Sequence, residues 1–237
     1  MVEPYEGIFN MKVLLILLQF KKTNIEFEVS TFKEFLLDVN NLAEKEKKKL
    51  IDMVDEMIKK NPEDAQDIYD HYSDSYETYE KKYVELANNG SLVNAYSFFE
   101  YQLKDIARAL GRYLVTVAGT NTHMGNLSYA ENLRNDIYIG TGLDFSSLDL
   151  LWTKLDKYRQ VRNIIVHNGA NLHDDRAAKE ASNTALVSSF PGITIDTNNK
   201  DFYITDKNLV LDYLDLVEEY LKGLVGILQT INPANVR

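Results

Sequence analysis

Within the stretch Arg162-Asn163-Ile164-Ile165-Val166-His167 the sequence places a permanent cation, a carboxamide and an imidazole in quick succession. These residue types suit the cleavage of a phosphodiester bond without a metal. Attack of a 2′-hydroxyl on the adjacent phosphate needs a group that exchanges a proton near neutral pH, and histidine is the side chain whose ordinary pKa lies there. It also needs a fixed cation against the charge that grows on the phosphoryl oxygens, which arginine supplies bidentately. Asn163 is placed to orient the histidine or the phosphate by hydrogen bonds. Lys154, Lys157, Arg159 and Arg162, set against Asp156, make the stretch locally basic.

The element that carries these residues reads as a helix. Ser146 with Asp149 opens it, Leu148, Leu151, Trp152, Leu155, Tyr158 and Ile165 give it an apolar stripe, and Gly169 closes it, so the helix is expected over 146–169. Arg162 follows Leu155 by two helical turns and is expected to face packed structure, where a guanidinium needs an acid or a phosphate beside it. Asn163 and His167 are i and i+4 and share a face. Arg162 and His167 project about 140° apart. One helix therefore does not gather all three, and a second copy related by a two-fold axis would supply the complement.

Arg162-Asn163, three apolar residues and His167 together resemble the Arg-polar-x-x-x-His signature of HEPN domains. These are small helical bundles of prokaryotic toxins, abortive-infection and other antiphage proteins, and some eukaryotic nucleases. The resemblance runs from Ser91 to the C-terminus. It includes a companion helix with Phe98-Phe99-Glu100-Tyr101 and Leu103, in which Glu100 would be the acidic residue beside the site. It implies a homodimer with two signatures facing across a cleft, acting as a metal-independent endoribonuclease with no cofactor. Arg162 would stabilise the phosphate, His167 act as acid or base and Asn163 orient, with Arg159 and Asn168 as flanking support. RNA would be the substrate, a toxin or antiphage effector the context, and an antitoxin or regulatory protein a further partner. The competing expectation is an inactive HEPN-like module that binds a protein or a nucleotide. Arg162 would then be a structural arginine paired with an acid such as Glu100, and Glu100 with Lys104 a plain i,i+4 pair.

The rest of the chain bounds these readings. Its net charge of −10 argues against non-specific coating of nucleic acid, which depends on neutralising phosphates. No cysteine is present, which removes disulfides, thiolate metal sites and cysteine nucleophiles. His167 and His173 could suggest a metal, but the helix is expected to end between them. The longest apolar run, 13–20, is too short to cross a bilayer and has acids before it and lysines after it, unlike a signal peptide. A cytoplasmic protein without membrane contact is expected.

The expected fold class is mainly α: a HEPN-like helical bundle with a small N-terminal hairpin and another hairpin before the last helix. Residues 1–60 form the N-terminal hairpin plus a helix, and 61–237 the bundle. The N-terminal hairpin pairs 13–20 with 25–29, where Ile25, Phe27 and Val29 alternate with Glu26 and Glu28. Thr31 and Glu34 form a capping box for a helix towards Lys60. Asn61-Pro62 starts a second helix that stops at Asn88-Asn89-Gly90. It carries Tyr69, Tyr72, Tyr76, Tyr79 and Tyr83, a stripe that could stack bases but reads first as packing on a neighbouring helix. Leu92, Tyr96, Phe99, Leu103, Ile106, Leu110, Tyr113 and Val117 mark a central core helix capped by Ser91. A polar loop at 119–128, short helices near 129–138 and 177–186, a hairpin of 193–196 with 202–204, and a closing helix with Leu214, Val217, Leu221, Leu224 and Leu228 complete the chain.

Overall fold

The computed structural model describes residues 4–113 and 127–231. Most of the expected 119–128 loop, and Val117 with it, lies outside them. The protein is mainly α-helical. Helix α1 spans Pro4–Lys60. A 3₁₀ turn at Pro62–Asp64 leads into α2, Ala65–Glu77, and a π-helical turn at Thr78–Lys82 joins α2 to α3, Tyr83–Tyr113. Then come α4 (Tyr129–Thr141), a 3₁₀ turn (Ser146–Leu148), α5 (Asp149–Asn168) and α6 (Ala177–Ser188). Strands β1 (Ile193–Ile195) and β2 (Phe202–Ile204) pair antiparallel, and α7 (Asn208–Leu228) follows. Among the described residues, no helix is long and apolar enough to cross a membrane.

Two expectations at the N-terminal end are corrected. The hairpin of 13–20 with 25–29 does not form, because α1 runs through it. Met11, Leu14, Leu18, Ile25, Val29 and Leu36 are buried, at steps of three, four and seven residues that keep them on one helical face. The Ile25-Phe27-Val29 alternation arises because Phe27 is exposed on the opposite face. Lys21 to Asn24 also offer no glycine for a two-residue turn. Thr31 accordingly starts nothing and lies inside the helix.

The stop expected at Asn88-Asn89-Gly90 is likewise absent, and the helical path continues through it. Asn88 is buried. Its amide donates to the Ile204 carbonyl at 2.9 Å and its oxygen accepts from Asn40 Nδ2 at 3.2 Å, while Asn40 also donates to Leu36 O at 2.9 Å. A side chain spent on tertiary hydrogen bonds is not available to cap a helix end.

The chain divides into two compact units, one of Met1–Ser30, Ala95–Tyr158 and Tyr213–Arg237, the other of Thr31–Asn94 and Arg159–Asp212. In the first, the expected stripe of α3 is buried from Tyr96 to Leu110, as are Leu214, Val217, Leu221, Leu224 and Leu228 of α7. Phe99, Trp152 and Tyr220 form an aromatic cluster with centroids 5.6–6.1 Å apart. Burying each such ring is worth about 1.5–3 kcal/mol. The Arg134 guanidinium lies 4.6 Å from the Tyr138 ring and 4.8 Å from that of Trp152, and pairs with Asp149. Ser128 and Glu131 make a full capping box on α4, and Gly142 closes it at φ 65°.

In the second unit Leu36, Leu92, Val161, Leu172, Val187, Phe202 and Ile204 are buried. The α2 helix has no buried residue. The tyrosine stripe is correspondingly uncovered. Tyr72 and Tyr79 are half-buried and the other three exposed, Tyr76 bonds Glu80 at 3.2 Å, and Tyr79 stacks edgewise on Tyr83 at 5.2 Å.

Candidate active site

The signature residues close α5, and the buried stripe of that helix decides which way they face. The stripe runs Leu148, Trp152, Leu155, Tyr158, Val161, Ile164. After Trp152 every step is three residues, and each such step turns the buried face by about 60°. By Ile164 the face has rotated away from the line of Leu148 and Leu155. Arg162, expected on that line among packed side chains, is only half-buried for this reason. Asn163 is half-buried beside it, and His167 and Asn168 are exposed. Val166, which projects between Arg162 and Asn163 around the helix, is 44% exposed.

Arg162 Nη1 donates to Asn163 Oδ1 at 3.1 Å. The amide oxygen thus holds the guanidinium, and the amide N–H groups are the donors of the Asn163 side chain. Half-buried Arg159 precedes Asn163 by one turn, on the arc between Arg162 and His167. Arg159, Arg162, Asn163, His167 and Asn168 all belong to the second unit; Glu100 is half-buried on α3 in the first.

Beyond His167 the chain is tied down. Gly169 and Ala170 both take φ 61°. The Ala170 N–H reaches back to Ile164 O at 3.3 Å and the Asn171 N–H to Asn168 O at 3.1 Å. The next residues join the hairpin: Leu172 N–H bonds Lys200 O and Phe202 N–H bonds Ala170 O, each at 2.9 Å. Asn171 Nδ2 donates to Asp201 at 2.6 Å and to Asn199 O at 3.0 Å. This clamp was not foreseen from the sequence. An isolated bridge residue such as Asn171 has no periodicity, and only the left-handed preference of glycine at 169 hinted that the chain reverses there.

His173 is engaged elsewhere, its Nδ1 3.1 Å from Glu180. The Lys200 ammonium, then the Asp174 N–H and His173, hold the Glu180 carboxyl below the usual carboxylate range, and Arg176 and Lys179 do the same for Asp174 more strongly. Among the described residues, no group of three or more His, Asp or Glu could hold a metal ion. No family model matches the chain, and no curated protein or solved structure matches it either.

Proposed function

We propose that the protein is a metal-independent endoribonuclease of the HEPN type, whose working site is composed from two copies of the α5 terminus. The observation that carries this reading is the arc at the end of α5 that holds half-buried Arg162 and Asn163 beside exposed Val166 and His167. A locally basic helix end with an exposed valine in its midst is a surface suited to a second copy and to a phosphate. In the reaction the ribose 2′-oxygen bonds to phosphorus and its proton passes to one His167. The bond from phosphorus to the 5′-oxygen breaks, and that oxygen takes a proton from the second imidazole. Arg162 balances the charge on the non-bridging oxygens. The products are a 2′,3′-cyclic phosphate and a 5′-hydroxyl. A toxin or antiphage effector restrained by an antitoxin or regulatory protein is the setting we attach to this activity.

A second reading is a non-catalytic module that uses the same arc to bind a partner. It is favoured by the bond that already engages Arg162 with Asn163. RNA cleavage in EDTA separates the two. Wild type cutting, with Arg162→Ala and His167→Ala each slower by roughly 10²–10⁴-fold, supports the nuclease. A wild type that cuts nothing, or variants that cut equally well, sinks it.

A further inference from the structure

The tyrosine helix plays no part in the proposed reaction, yet none of the residues of α2 is buried. Its Tyr69, Tyr72 and Tyr76 face Leu50, Ile51 and Val54 of α1 across a groove of about 370 Å³. Tyr69 is 54% exposed and Ile51 and Tyr76 are each 37% exposed. The α2 wall repeats at i, i+3, i+4 and i+7 (Tyr69, Tyr72, Ser73, Tyr76) and the α1 wall at i, i+1, i+4 and i+5, so each presents one helical face to the channel between them, where a third helix could lie. A cover on this face would bury apolar surface that Tyr69, Tyr76 and Ile51 leave exposed.

Charge selects the cover. Asp55 and Asp70 line the groove, and no lysine or arginine does among the described residues. The α2 sequence carries Asp67, Asp70, Asp74 and Glu77 and neither lysine nor arginine. A second copy seated here symmetrically would bring those carboxylates against their own kind. The tyrosine faces accept cations, as Lys47 shows by placing its ammonium 5.9 Å from the Tyr76 ring centroid. We infer that the groove between α1 and α2 docks a cationic amphipathic helix of a partner protein. Its apolar face lies on Leu50, Val54 and Tyr72, and its lysines or arginines meet Asp55 and Asp70. The site is separate from the α5 terminus and stands whether or not the chain cleaves RNA.

The test uses the full chain and three labelled synthetic peptides in fluorescence anisotropy. One has leucines at i, i+3, i+4 and i+7 with lysines elsewhere, the second has glutamates in place of the lysines, and the third scrambles the first. The lysine helix is expected to bind, and the other two at least about tenfold more weakly. Asp55→Asn with Asp70→Asn, and separately Ile51→Ser with Tyr69→Ser, should each weaken it about tenfold or more. Removing two exposed charges elsewhere, Asp175→Asn with Asp212→Asn, should leave binding unchanged. Equal binding of the scrambled peptide would reduce the effect to general attraction by an acidic protein. Equal binding of the glutamate helix would remove charge selection. Either result overturns the inference, as does indifference to the groove variants, or a dimer that Ile51→Ser with Tyr69→Ser dissociates.

Discussion

Phe202 donates its backbone N–H to the carbonyl of Ala170 at 2.9 Å, so β2 holds the third residue after His167. An exposed imidazole at a helix end would otherwise share in the fraying of the last turn. Here two left-handed residues turn the chain and the hairpin receives it, which fixes where α5 ends.

Gly169 tests that turn. A Cβ at Gly169 meets no atom within 4 Å, so Gly169→Ala is opposed only by its φ of 61°. The expected loss is about 1 kcal/mol, which lowers Tm by roughly 2–4 °C in a chain of this size. Ala170 also has φ 61° but is buried. Ala170→Gly relieves strain and gives up about one buried methyl, worth about 0.8 kcal/mol, so calorimetry should find it near neutral. A large loss for Ala170→Gly would show that the turn is not strained.

Asn88 is expected to be among the costliest polar side chains to remove. Asn88→Ala leaves the Ile204 carbonyl and the second Asn40 bond unmet inside the second unit. The penalty should be about 2–4 kcal/mol in urea unfolding. Asn40→Ala, whose Nδ2 also serves the Leu36 carbonyl of its own helix, should cost less. Equal penalties would contradict this division.

Gly223 tests packing against Leu148. An alanine Cβ there would lie 2.7 Å from Leu148 Cδ2. Gly→Ala in a helix ordinarily gains up to about 1 kcal/mol, and overpacking costs about 1–3 kcal/mol, so Gly223→Ala should be neutral to destabilising. With Leu148→Ala already present the clash is gone and the same change should stabilise. Additive effects in this double-mutant cycle would count against the contact.

Glu85 sets a pH dependence that runs against that of Glu180. Burial, then the neighbouring Asp201 carboxylate, pushes its carboxyl above the usual glutamate range. The folded state therefore binds this proton more tightly than the unfolded chain. Stability falls as pH rises from the ordinary glutamate pKa through the raised one, and the loss persists at neutrality. Glu85→Gln should remove that slope and stabilise the protein at pH 7. Glu180 has the opposite sign, since its contribution is present above the ordinary pKa and is lost as pH falls through its lowered value. Denaturant unfolding at several pH values reads both, and a Glu85→Gln protein less stable than wild type at pH 7 would contradict the assignment.

Much of the fold was legible because core positions kept a helical period. The stripe from Leu92 to Leu110, the hairpin of 193–196 with 202–204 and α7 are legible in the sequence for that reason. Residues 13–29 misled because exposed Ile16, Phe20 and Phe27 fill the gaps between buried Leu14, Leu18, Ile25 and Val29. Exposed apolar side chains erase the contrast on which a period depends. At the candidate site the residue types and the separation of Arg162 from His167 are legible in the sequence. The rotation of the buried stripe is not, because it depends on Val161 and Ile164 rather than Ile165 being covered.

The order in which the chain is made meets these contacts late. Asn88 waits 116 residues for Ile204, and Gln19 waits 210 for Gln229, which it meets at 3.2 Å. At about 5–20 residues per second of synthesis, the first wait alone is on the order of ten seconds. Through that interval the apolar positions of α1 are already translated while the strand and last helix of their units do not yet exist. Newborn chains halted before residue 204 should therefore be the species that aggregates or engages holding chaperones, and release of the completed chain the event that ends it.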